Sequence, residues 1–134
     1  MKRVILYTDG GARGNPGPAA IGIVVMDDKN EVLMEIGKYI GEGTNNEAEY
    51  HALIEGLTAA HQKEAEVVDC YLDSEFVVNQ LKGVYKVKNE RMQVLWEKAK
   101  AIEKKFKKVS YTHIVRSKNK EADRIVNQVL DSLK

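Results

Sequence analysis

Four acidic residues of this chain stand where carboxylates do chemistry. Asp9 closes the apolar run RVILYTD and Asp73 closes VVDCYLD, so each marks the carboxyl end of a strand-like segment. Were those two strands parallel neighbours, the carboxylates would lie side by side, roughly 5 Å apart. Ligand sites of open α/β sheets gather at such strand ends. Two carboxylates that close repel each other, and a divalent cation between them removes the conflict. The competing reading is that each Asp only caps the segment that follows it.

Residues 46 to 62 supply the third candidate. They carry apolar side chains at helical spacing behind Thr44, Asn45 and Asn46, all good N-cap types. Glu49 shares a helix face with Leu53, Leu57 and Ala60, whereas Glu47 points roughly 200° away, as a first-turn surface glutamate. A carboxylate heading an inward apolar stripe must be paired or metal-bound, because an isolated buried charge costs several kcal/mol. Asp123 begins the last helix at the rim of an apolar face formed by Ala122, Ile125, Val126, Val129, Leu130 and Leu133. Four acids with few basic partners suit one or two hard cations with oxygen ligands, Mg²⁺ or Mn²⁺ rather than zinc.

The elements that must position these groups follow from pattern. Strands are expected over residues 3 to 9, 19 to 26 and 31 to 40, with GGARGNPGP as a loop and DDKN as a hairpin turn in which Asn30 tolerates positive φ. The helix from 46 to 62 leads to a fourth strand at 67 to 73, parallel to the first. Ser74 opens a short helix ending near Gly83, and Asn89 caps another running to about Lys105. A fifth strand covers 109 to 115 and a final amphipathic helix 119 to 133. The order βββαβααβα describes one α/β domain over residues 1–134, a mixed sheet with helices packed on it.

YTDGGARGNPGP, TNNEAEYHAL, YLDSEFVV and NKEADRIVN, in this order and spacing across nearly the whole chain, resemble the four signature segments of type 1 ribonuclease H. The resemblance implies a ribonuclease H-like five-stranded mixed sheet in the order 3-2-1-4-5, strand 2 antiparallel, with helices on both faces. It implies an endonuclease that cuts the RNA strand of an RNA–DNA hybrid with two metal ions, leaving 5′-phosphate and 3′-hydroxyl ends. The family's catalytic carboxylates fall on Asp9, Glu49, Asp73 and Asp123. By resemblance Asp9 bridges two Mg²⁺, Glu49 and Asp73 complete one site, and Asp123 serves the other; Mn²⁺ can substitute. Asn15, Asn45 and Asn46 match contacts to the minor groove and the RNA 2′-hydroxyls, and Thr44 and Asn89 match a pocket for a DNA-strand phosphate. Asn45 and Asn89 could instead be N-caps alone.

The chain also departs from the family. Many members carry an Arg where Glu42 stands, two residues before Thr44, and the change should weaken phosphate binding. The long basic, Trp-rich protrusion of many bacterial members is missing, and so is a flexible His before the last helix, since VRSKNKEAD is too short to hold it. Arg116, in that shortened loop, is a candidate phosphate contact.

Composition adds limits. With 21 Lys and Arg against 20 Asp and Glu, the net charge of +1 does not announce a nucleic-acid partner. Residues 98 to 108 hold six lysines and one Glu, which makes them a candidate basic face or an ordinary solvated one. The lone Cys70 excludes an intrachain disulfide and reads as core packing. No apolar run approaches the length of a membrane span, and the expectation is a cytoplasmic monomer with no protein partner. A dinucleotide site at glycines 10, 11, 14 and 17 is rejected, because that motif must open a helix and Pro16 and Pro18 lead into a strand. A resolvase or integrase core shares the strand-end acids but does not combine GNPGP with TNN. A non-catalytic hybrid-binding module on the same scaffold is the alternative, favoured if any of the four acids were missing.

Overall fold

The computed structural model describes residues 2–133. The apolar run that begins the chain forms β1 (Arg3–Ala12), which pairs antiparallel with β2 (Gly17–Asp27); β3 (Val32–Gly43) then pairs antiparallel with β2. Asn30 turns the β2–β3 hairpin at φ 63°. Helix α1 (Asn45–Gln62) crosses to β4 (Val67–Leu72), parallel to β1, and β5 (Lys108–His113) lies parallel to β4. The sheet order is β3-β2-β1-β4-β5, as expected. Between β4 and β5 come α2 (Glu75–Leu81) and α3 (Glu90–Glu103), and α4 (Lys120–Asp131) ends the fold.

The main core lies between the sheet and the α1 side. Leu6, Ile21, Ile23, Leu53, Leu57 and Leu72 are fully buried there, joined by Cys70. The buried Tyr50 hydroxyl on α1 donates to Gln80 of α2 at 2.7 Å, and Trp96 of α3 donates to the Gln80 carbonyl at 3.2 Å, so three helices share one polar anchor. Helix α4 covers the other face through Val126 and Leu130 against Ala20.

Two expected element boundaries need correction. The Gly/Pro segment is not one long loop: Gly10 to Ala12 continue β1, opposite Ile21 to Ala19, and only residues 13 to 16 turn. Pro18 is tolerated because it sits near the strand start, where its carbonyl accepts from Arg13 N–H at 2.9 Å. Second, β5 ends at His113 rather than 115, and a single 3₁₀ turn, Arg116–Lys118, precedes α4.

Candidate functional site

Register delivers Asp9 and Asp73. The β1–β4 ladder stops at Thr8 opposite Leu72, so these acids are the next residue on each chain. Asp9 does not end its strand, as the sequence suggested; β1 runs on beside β2 after β4 has left. Two glycines bring in the other carboxylates. A Cβ on Gly10 would lie 2.2 Å from the Ala48 carbonyl carbon, and one on Gly22, the residue paired with Asp9, 2.2 Å from the Ala122 oxygen. Without side chains there, α1 and α4 press onto opposite faces of the sheet beside Asp9. Glu49 is thereby seated next to Ala48, and Asp123 next to Ala122.

Asp9, Glu49 and Asp73 each offer a carboxylate oxygen, all within 4.8 Å of one another. Asp9 and Glu49 are buried, at 7% and 5% exposure. Gly10 N–H donates to Glu49 Oε1 at 2.8 Å, while Oε2 is buried with no hydrogen-bond partner among the described residues. Asp123 is on the rim of the same cavity, about 440 Å³ in volume, and its carboxylate is held by Arg116 at 3.1 Å.

Burial pushes the Asp9 carboxyl up to about 7; a hydrogen bond shared with Glu49 opposes the rise, and the charges of Asp73 and Asp123 add to it. Burial raises Glu49 well above the ordinary carboxylate range, and the Asp9 charge adds to that. Asp73 is also raised by burial, with the Asn119 hydrogen bond pulling the other way. Clustered carboxylates and an orphaned buried oxygen fit a hard divalent cation, which would stabilise the charged forms and fill the empty acceptor site.

Sequence reasoning passed over Asn119. It is buried, and its Nδ2 donates to the Thr8 carbonyl at 2.9 Å and to Asp73 Oδ2 at 3.1 Å. The only signal in the sequence was an Asn four residues ahead of Asp123, which reads as a helix cap. Glu47 is also placed differently. It is no free surface glutamate: it completes a capping box with Thr44 and pairs with Arg91 of α3 at 2.9 Å, its side chain 13% exposed.

Beside the carboxylates runs a second cavity of about 720 Å³, lined by Asn15, Thr44, Asn46, Asn89, Lys86 and Lys88 among others. Asn46 borders both cavities, and Asn45 borders the first. Asn45 N–H donates to Asn15 Oδ1 at 3.0 Å, and Asn45 Oδ1 accepts from Ala12 N–H at 2.8 Å. Both amide oxygens are thus used internally, which turns both NH₂ groups outward. The cap of α1 is Thr44, not Asn45, and Asn89 caps α3 by accepting from Arg91 and Met92 N–H. Capping uses an oxygen in each case and leaves the Thr44 O–H and Asn89 NH₂ as donors.

Two lysines of the 98–108 run are engaged within the protein rather than free to face this groove. Lys100 turns inward to the Leu81 carbonyl at 2.7 Å and to Glu103. Lys107 pairs with Glu66, at the start of β4. That is the opposite end of the sheet from Asp73, roughly 20 Å away along a six-residue strand.

The family model described as "Reverse transcriptase-like" matches residues 7–129. The bifunctional protein Rv2228c of Mycobacterium tuberculosis is 40% identical over 131 residues, 97% of this chain and 36% of that protein. The chain therefore spans 36% of the length of the first relatives it matches. The solved N-terminal ribonuclease H domain of Rv2228c superposes with a TM-score of 0.91 over 94% of this chain and 97% of that one. Ribonuclease HI of Halobacterium salinarum is 38% identical over 96% of this chain and 65% of that protein. The crystal structure of ribonuclease H1 from that archaeon superposes with a TM-score of 0.94 over 97% of this chain and 98% of that one. LC11-RNase H1, solved in complex with an RNA/DNA hybrid, is 43% identical with a TM-score of 0.91, covering 98% of this chain and 99% of that one. The family match and the near-complete superposition on these solved domains show that the chain belongs to the reverse transcriptase-like family and has the ribonuclease H fold.

Proposed function

We propose that this chain hydrolyses the RNA strand of RNA–DNA hybrids in a reaction dependent on Mg²⁺ or Mn²⁺, with residues 1–134 acting as one catalytic domain and as a monomer. The observation that carries the reading is the meeting of Asp9, Glu49 and Asp73 within 4.8 Å, next to a groove lined with amide and hydroxyl groups. Relatives named ribonuclease HI support the reaction, and the hybrid bound by LC11-RNase H1 supports the substrate.

In this reading Asp9, Glu49, Asp73 and Asp123 would hold the cations, Glu49 and Asp73 on one side of Asp9 and Asp123 on the other. When bound, such a pair of ions supplies an acidified water at neutral pH and stabilises charge on both the attacking and leaving oxygens. In-line displacement with that polarity leaves a 5′-phosphate and a 3′-hydroxyl. The protein's own groups do the positioning. Gly10 N–H fixes the Glu49 carboxylate, and Arg116 on the rim neutralises a phosphate of the cleaved strand. Asn15, Asn45 and Asn46 meet the 2′-hydroxyls and minor-groove edges, which lets the site distinguish RNA from DNA. Thr44 and Asn89 hold a phosphate of the DNA strand, with Lys86 and Lys88 supplying nearby charge.

A gel assay on labelled hybrid, duplex RNA and duplex DNA, each with Mg²⁺, Mn²⁺ or EDTA, tests the proposal. The expected result is metal-dependent cleavage of the hybrid's RNA strand alone. Hybrid binding without cleavage under any metal would instead make the chain a binding module.

A further inference from the structure

We infer that Asn119 is a positioning residue for the carboxylate site, its buried amide holding Asp73 and the backbone beside Asp9 in register with the start of α4. Three ligand-bearing segments converge on this one side chain and its backbone. Its Nδ2 hydrogens go to the carbonyl of Thr8, the residue before Asp9, and to Asp73 Oδ2, at 2.9 and 3.1 Å. Its carbonyl accepts the Asp123 N–H at 3.1 Å. Only 1% of Asn119 is exposed, so no solvent competes for these bonds.

The helix cap shows what this arrangement displaces. Asn119 occupies the N-cap position of α4, yet its side chain makes no capping bond and its Oδ1 is buried without a partner among the described residues. Asn89, at the same position of α3, turns its oxygen onto two helix N–H groups. At α4 the amide is committed to the carboxylate site instead. The two acceptors require two hydrogens on one nitrogen: an Asp carboxylate would offer none and a Ser hydroxyl one. Residues that hold a metal ligand from behind typically change metal affinity or activity by roughly 10- to 100-fold when replaced.

The inference rests on the proposed function only for its kinetic part. Asn119→Ala and Asn119→Ser are compared with wild type by calorimetric titration with Mn²⁺ alone, by thermal melting and by steady-state hybrid cleavage. Ser can cap α4 through its hydroxyl, so Asn119→Ser should melt above Asn119→Ala. Both variants should bind Mn²⁺ about tenfold more weakly and lose a similar factor in kcat, with KM for hybrid held within about twofold. Folded variants that bind Mn²⁺ and turn over like wild type would overturn the inference. So would a loss confined to KM, or failure of both variants to fold, which would make Asn119 a structural prop. If wild type itself does not cut hybrid, the functional reading fails, while the Mn²⁺ titration still decides the role of Asn119.

Discussion

In the acidic cluster Glu49 Oε2 is buried without a partner among the described residues, and the carboxyls are pushed up by burial and by one another. In the amide groove next to it, Asn15, Thr44, Asn45 and Asn89 all have their side-chain oxygens satisfied by the protein's own N–H groups. Asn46 stands between the two regions and borders both cavities. The cluster therefore fits a cation, whereas the oxygens of the groove are satisfied before any ligand arrives. Charge changes in the cluster should act on turnover and on metal-dependent stability. Changes in the groove should act on substrate affinity.

The largest effects should come from removing charge in the cluster. Asp9→Asn keeps the shape and should lower cleavage by roughly a thousandfold or more, the scale of several kcal/mol of transition-state stabilisation. Glu49→Gln should be nearly as damaging. Glu47→Gln should stay within about fivefold of wild type, because Gln can still accept the Thr44 N–H and only the exposed partner Arg91 is lost. Single-turnover rates on labelled hybrid decide this. A reversed order for the two glutamates would remove Glu49 from the centre.

Asn46→Ala should sharpen the contrast. The exposed Asn46 borders both cavities, so the fold and melting temperature should be unchanged. Losing its contacts should raise KM by about tenfold, the worth of roughly one hydrogen bond, with kcat nearly constant. A fall in kcat instead would extend the catalytic region into the groove.

The third effect is on stability. A carboxyl raised to about 7 in the folded state, against an ordinary 3.8, holds its proton more tightly folded than unfolded. Its contribution is therefore most favourable at low pH and is lost as pH rises from about 4 through 7. Metal-free Asp9→Asn should melt several degrees above metal-free wild type at pH 8, with the gap shrinking toward pH 5 and on adding Mg²⁺. Paired melts in EDTA and Mg²⁺ check this; a mutant that melts lower throughout would mean that Asp9 is a structural cap.

Reading the sequence placed both regions but not their connections. Helical periodicity separated Glu49 from Glu47, and the apolar runs gave the order of the elements, because both patterns are local; the strand order 3-2-1-4-5 came from the family resemblance. The Gly/Pro segment was misjudged as a loop because Gly10 is needed for a tertiary reason, the approach of α1, which no local rule reports. The Glu47–Arg91 pair and the Asn119–Asp73 bond join residues 44 and 46 positions apart, beyond any periodic signal. The lysine run was ambiguous for a similar reason: only the fold reveals which end of the sheet the C-terminus of α3 reaches.

The smallest effect concerns the groove's charge. With Lys107 and Lys108 at the far end of the sheet and Glu42 two residues before Thr44, the proposed hybrid groove has Lys86 and Lys88 as its lining lysines. The slope of log affinity against log salt should be shallow, corresponding to about three to five phosphate contacts. Glu42→Arg should steepen it by about one unit and tighten binding. Neutralising Lys104, Lys105, Lys107 and Lys108 should leave the slope unchanged; a flattening would place that run on the nucleic acid after all.

The need of the cluster for a cation is tested most directly by calorimetric titration of Mn²⁺ into the protein without nucleic acid. Wild type should bind the ion, and Asp9→Asn should bind it at least tenfold more weakly while keeping its fold. Equal binding by the two proteins, or none by wild type at millimolar Mn²⁺, would contradict the account.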